Sequence, residues 1–173
     1  MKKIFAVIAL LAVSSILFAQ KAGSKISFDT TDLNGNTVTD SILKENKITM
    51  INIWGTFCPP CIREMPDLGK LNEANKANGV QVIGIPIDVI DQFGRLIPDA
   101  KATADEIINA TGANYIHLVP NYGMLSTFLS SVQAVPATIF VDSNGNQIGQ
   151  MYLGARSKRD WQKIIDNLLK DAN

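Results

Sequence analysis

The sequence predicts an α/β domain: a mixed central β-sheet flanked by helices, with a β-hairpin extension ahead of it. Three observations carry that prediction. The run Ile48-Thr49-Met50-Ile51-Asn52-Ile53-Trp54 is apolar and β-branched enough for a buried strand, and a helical pattern opens soon after at Ile62-Arg63-Glu64-Met65. Two further strand-like runs, Ala137–Asp142 and Gln147–Leu153, are joined by Ser143-Asn144-Gly145-Asn146, whose Asn-Gly pair is a hairpin signal. The chain then closes on an amphipathic helix capped by Ser157 and running to about residue 170, with Trp161, Ile164, Ile165, Leu168 and Leu169 on its apolar face.

The elements follow in order. Met1-Lys2-Lys3 is a short basic start, residues 4–18 are apolar except for Ser14 and Ser15, and small or polar residues follow around Ala19-Gln20-Lys21-Ala22-Gly23. This pattern is that of a secretory signal over residues 1–22, ahead of one domain over 23–173. An uncleaved membrane anchor is the alternative, although the run is shorter than the roughly 20 residues a span requires. No cysteine stands near its end, so a lipidated anchor is not indicated. Loss of Lys2 and Lys3, with Lys21 if cleavage falls after residue 22, leaves a net charge of about −2 to −3, which gives no reason to expect nucleic acid as a partner. The remaining chain, about 150 residues, suffices for one core. Residues 25–28 and 37–39 flank Asp32-Leu33-Asn34-Gly35-Asn36 and predict a hairpin. After the strand ending at Trp54 come a helix over 59–77 kinked near Pro66, a strand over 80–87, an irregular segment over 88–98 and a helix over 100–110. A short strand over 116–119 and a short helix over 123–131 complete the order. The irregular segment mixes Phe93, Arg95 and Leu96 and leaves the carboxyl end of a central strand, where ligands gather in α/β sheets; it reads as a specificity loop or as a tolerated surface insertion.

Cys58 and Cys61 are the only two cysteines and lie three positions apart at the strand-to-helix junction. Cys58 falls at the helix N-cap, where the helix dipole and a backbone N–H favour its thiolate, the nucleophilic form. Pro59 and Pro60 occupy the first two helical positions and bring no N–H, so the Cys58 sulfur must look to the amide of Cys61 or Ile62. A thiol pKa of about 7, rather than about 3.5, follows. Cys61, inward on the first turn, is the shielded resolving thiol. A static disulfide is the other reading of the pair, although a bridge over so short a loop constrains little of the unfolded chain. A zinc site is disfavoured and no metal is expected, because two cysteines and one histidine do not supply four ligands. Trp54 and Phe57 flank the pair as apolar platforms or as core, and His117 reads as structural.

Strand, CxxC helix, strand, hairpin and closing helix, with Val135-Pro136 just before the hairpin, form the thioredoxin arrangement. Asp32-Leu33-Asn34-Gly35, the string Trp54-Gly55-Thr56-Phe57-Cys58-Pro59-Pro60-Cys61 with Arg63-Glu64-Met65-Pro66, and Val135-Pro136-Ala137-Thr138 with Val141-Asp142-Ser143-Asn144-Gly145 resemble the exported TlpA/ResA-type thiol–disulfide oxidoreductases. The resemblance implies a thioredoxin-like enzyme that acts outside the cytoplasm, in the periplasm or facing a membrane. It would have no cofactor beyond a redox-active Cys58–Cys61 disulfide and would act as a monomer. Its substrate would be an exported protein disulfide, for example in cytochrome c maturation, and a membrane thiol transporter would be its electron donor. By the same resemblance Cys58 attacks, Cys61 resolves and Pro136 is a cis-proline whose neighbour Val135 offers its backbone to an extended substrate. Asn52 stands where thioredoxins of the cytoplasmic type carry a buried aspartate. ResA-like proteins place a carboxylate at a position aligned here with Val89, which leaves Asp88 and Asp91 as candidate proton relays or as solvated turn formers, and Glu64 as a third candidate or as a partner of the helix dipole and of Lys and Arg neighbours. An oxidant that donates its disulfide is the alternative within redox chemistry. A copper carrier of Sco type would require CxxxC and a distal histidine, and a peroxidase a Thr-x-x-Cys site.

Overall fold

The computed structural model describes residues 25–171, and the signal expected over residues 1–22 lies outside them. Its centre is a five-stranded sheet of order β5-β4-β3-β6-β7, built from β3 (Ile48–Trp54), β4 (Val80–Pro86), β5 (Ile116–His117), β6 (Ala137–Asp142) and β7 (Gln147–Leu153). β3 pairs in parallel with β4 and β4 with β5, while β6 runs antiparallel to both β3 and β7, so the sheet is mixed as expected. Every residue of β3 is buried, because both faces of the sheet are covered. Ile48, Met50 and Trp54 join a core with Leu68 of α1 (Pro59–Asn75), Ala104 of α2 (Pro98–Thr111) and Trp161 of α4 (Lys158–Asp171). Ile51 and Ile53 join a second core with Phe28, Val38, Leu43, Phe128 and Met124 of α3 (Tyr122–Ser126).

The N-terminal hairpin is shifted from its expected place. β1 (Asp29–Thr31) pairs with β2 (Thr37–Thr39), whereas residues 25–28 run beside the turn at Asp142, with the Ile26 N–H donating to the Gly145 carbonyl at 2.7 Å. The expected strand over 116–119 stops at His117, since the Val119 N–H turns away to donate to the Thr31 carbonyl. The expected helix over 123–131 breaks at Thr127, whose hydroxyl bonds the Gly123 carbonyl at 2.6 Å, leaving α3 and a 3-10 turn over Phe128–Ser131. α1 continues through Pro66 to Asn75, and β4 ends at Pro86.

Residues 88–98 are more ordered than the sequence suggested. Asp91-Gln92-Phe93-Gly94-Arg95 forms the same turn as residues 32–36 and 142–146. In each, the aspartate N–H and carbonyl close the turn, a glycine three positions on has φ of +85°, +76° or +80°, and the carboxylate gathers the amides two and four positions on. The other two turns announce themselves by Asn-Gly, whereas Phe-Gly hides this one.

Topology fixes where the site must be. The carboxyl ends of β3, β4 and β7 and the start of β6 share one edge of the sheet, and from that edge issue the cysteine pair, the 91–95 turn and the Val135-Pro136 loop.

Candidate active site

β3 delivers Cys58 to the N-cap of α1, in extended backbone, and its sulfur accepts from the Cys61 N–H at 3.3 Å. Because Pro59 and Pro60 fill the first two helical positions, that amide is the first one available. The two cysteines are joined in a disulfide with their Cα atoms 5.3 Å apart. They differ in access: Cys58 is 5% exposed and Cys61 is fully buried, so an incoming thiol meets Cys58 first. The Val135–Pro136 peptide bond is cis, with Pro136 buried and Val135 half-buried.

The two expected aromatic platforms part company. Phe57 is 64% exposed and its ring folds over Gly55, where a Cβ would meet the Phe57 Cε1 at 2.6 Å. Trp54 is wholly buried, so it supports the site from beneath and offers no surface to a substrate. Its indole N–H donates to Nδ1 of His117 at 3.3 Å, and His117 Nε2 lies 3.0 Å from the Ala113 carbonyl, which assigns the proton to Nε2. His117 also stacks on Tyr115 at 4.6 Å between centroids, and Gly84 makes room for it: a Cβ there would sit 2.2 Å from Nδ1. Burial pushes the imidazole down to about 4. The Trp54–His117 pairing had no signal in the sequence, since the two residues are brought together only by the β3–β4 and β4–β5 registers combined.

The three candidate carboxylates occupy different situations. Asp88 accepts from Thr56, at 3.1 Å from the amide and 2.5 Å from the hydroxyl, and so clasps the chain just before Phe57. Asp91 is spent on its own turn, bonding the Arg95 guanidinium at 2.7 Å; the hydrogen bonds from Arg95 hold its carboxyl below the usual range. Glu64 is the buried one, 4% exposed and one helical turn beyond Cys61 on the same face of α1. It accepts from Asn52 Nδ2 at 3.1 Å, the Arg156 N–H at 3.1 Å and the Trp161 indole N–H at 3.4 Å. Desolvation nonetheless raises its pKa, because these donors do not fully replace water. Asn52 also reaches the Thr138 hydroxyl at 3.3 Å, joining β3 and β6 beneath the pair. The Arg156 guanidinium lies over the rings of Tyr152 and Trp161 at 5.0 and 5.1 Å and closes this pocket. The burial of Glu64 was readable in retrospect, since Cys61, Glu64, Met65, Leu68 and Leu71 form one stripe at helical spacing.

A thioredoxin fold that carries an asymmetric CxxC disulfide at a helix N-terminus beside a cis-proline defines a thiol–disulfide oxidoreductase. Comparison with known proteins agrees. The Redoxin family model matches residues 19–169. A ResA thiol-disulfide oxidoreductase of Bacillus thuringiensis subsp. konkukian is 33% identical over 150 residues, covering 82% of this chain and 75% of the relative. Another, from Halalkalibacterium halodurans, is 27% identical over 153 residues, 88% of this chain and 80% of the relative. Among solved structures, a thiol:disulfide interchange protein of the thioredoxin family from Chlorobium tepidum TLS superposes with a TM-score of 0.71 at 22% identity, over 86% of this chain and 97% of that one, which supports the fold. The chain belongs to the Redoxin family, among its ResA-like members in the thioredoxin superfamily. It is an enzyme of thiol–disulfide exchange.

Proposed function

We propose that this enzyme works as a reductant of protein disulfides outside the cytoplasm. The Cys58 thiolate attacks one sulfur of a substrate disulfide; a mixed disulfide forms and one substrate thiolate leaves and takes a proton. Cys61 then gives up its proton and attacks the Cys58 sulfur, releasing the second substrate thiol and leaving Cys58–Cys61 oxidised. Two electrons and two protons have passed to the substrate. Glu64, one turn along α1 and favoured in its neutral form by burial, is the group we assign to exchange the Cys61 proton. The Val135 backbone pairs with the substrate chain as it approaches, and a membrane thiol transporter restores the dithiol, with apocytochrome c one exported substrate that fits the resemblance. The N-terminal sequence pattern supports export, and among the described residues no helix is long and apolar enough to cross a membrane. A monomer suffices for this chemistry, since both thiols lie on one chain.

The observation that carries the proposal is the difference in access between the cysteines. It is tested by trapping. With a disulfide-bearing protein, Cys61→Ser is expected to accumulate a mixed disulfide seen on non-reducing gels, and Cys58→Ser is expected to form none. The reverse pattern would overturn the roles.

A further inference from the structure

The three Asp-x-x-Gly turns are built alike and differ in what they display. In all of them the second carboxylate oxygen takes a side-chain donor four positions on: Asn36 Nδ2 at 2.9 Å, Arg95 Nε at 2.8 Å and Asn146 Nδ2 at 2.9 Å. At the third position two of the turns carry exposed asparagines, Asn34 and Asn144. The middle turn carries Phe93, 72% exposed. Turn geometry asks for nothing apolar there, since asparagine satisfies it twice. A ring held in water on this ordered turn is therefore not required by the turn's own geometry.

Its placement supplies the explanation. The turn is pinned by the Ile90–Leu96 bridge and by the Ile97 N–H donating to the Val89 carbonyl at 2.8 Å. It leaves β4 beside β3, where Trp54 and Pro86 are in register, and Asp88 at its root clasps Thr56, the neighbour of Phe57. Two exposed phenylalanines thus stand on segments that are tied together at their roots, on the edge of the sheet from which the cysteine pair issues. Asp91 and Arg95 cancel each other's charge at 2.7 Å, and the guanidinium lies 5.1 Å from the Phe93 ring centroid, so the tip is aromatic and electrically neutral.

We infer that Phe93 and Phe57 form a recognition surface for the apolar residues flanking a disulfide in an unfolded polypeptide. This rests on the reductant reading above and names its substrate class. A partner that brings a disulfide to Cys58 must lay its flanking residues along this edge; a neutral aromatic surface rewards apolar neighbours and gives a charged segment nothing to pair with. Because the turn is ordered before the partner arrives, little conformational entropy is lost on contact.

The test uses three probes with the reduced mature protein: cystamine, and two disulfide-linked peptide dimers whose cysteine is flanked by Phe and Leu in one and by Ser and Gly in the other. The wild type is expected to reduce the apolar dimer with kcat/KM about tenfold higher, the scale of partial burial of one aromatic ring, with the difference in KM. Phe93→Asn, which restores the residue of the other two turns and keeps their build, is expected to bring the ratio close to one. A wild-type ratio near one, or an unchanged ratio in Phe93→Asn, would overturn the inference. Concentration-dependent dimers that Phe93→Asn abolishes would overturn it too, by showing that the ring seats a second copy of this chain. Failure to reduce even cystamine would remove the parent reading instead, and the inference with it.

Discussion

Glu64 and His117 are both buried, the one a helical turn from Cys61 and the other against Trp54, and they bind protons in opposite senses. Desolvation raises the carboxyl of Glu64 above its ordinary 4.5, so the folded protein holds that proton more tightly than the unfolded chain. The stability linked to it is complete below 4.5 and is lost as pH rises through the folded value. His117 is depressed from 6.5 to about 4, so its contribution is complete above 6.5 and is lost as pH falls toward 4. Urea unfolding from pH 4 to pH 8 is therefore expected to show Glu64→Gln gaining on the wild type as pH rises, and His117→Gln gaining on it as pH falls, the latter by roughly 3 kcal/mol at most. Parallel pH curves for wild type and both variants would mean that neither group is as desolvated as its surroundings imply. The sequence named Glu64 as a candidate, but its burial is legible in the α1 stripe only in retrospect. It read His117 as structural but disclosed nothing of its partner, because Trp54 lies 63 positions away across two strand registers.

The start of α1 sets how strongly the Cys58 thiolate is held. A helix offers an N-cap residue the amides of its second and third positions, and here the second is Pro60. Cys61 alone donates, at 3.3 Å. Pro60→Ala restores one donor; a further hydrogen bond to the thiolate is expected to lower the Cys58 pKa and raise the reduction potential by about 20–30 mV, the equivalent of about 1 kcal/mol for a two-electron couple. An unchanged potential would show that the helix dipole, which proline leaves intact, outweighs the individual amides. This junction was legible because proline acts locally, through φ and the missing N–H. Turns were legible where they used Asn-Gly, as at 142–146, and illegible at 91–95, where Asp91 and Gly94 set the same backbone but Phe93 and Arg95 fill the intervening and closing positions.

At the scale of the whole molecule, the order of elements was readable because each strand and helix carries its own periodicity and the sheet buries both faces. Local hydrogen bonds decided the margins that the sequence misplaced: residues 25–28 follow the Asp142 turn, and Val119 leaves the line of β5 for the hairpin while the Leu118 N–H still donates to the Gly84 carbonyl of β4. The assembled molecule brings the cysteine pair, the cis-proline loop, Glu64 and the Phe93 turn to one edge of one sheet, and its central claim is that this edge gives electrons to substrate disulfides. A glutathione redox titration of the Cys58–Cys61 couple, followed by the fluorescence of Trp54, tests that claim most directly. With a single amide on the Cys58 sulfur, the expected potential lies between about −220 and −290 mV, around the thioredoxin value. A potential above about −160 mV would contradict the account and make the protein a disulfide donor.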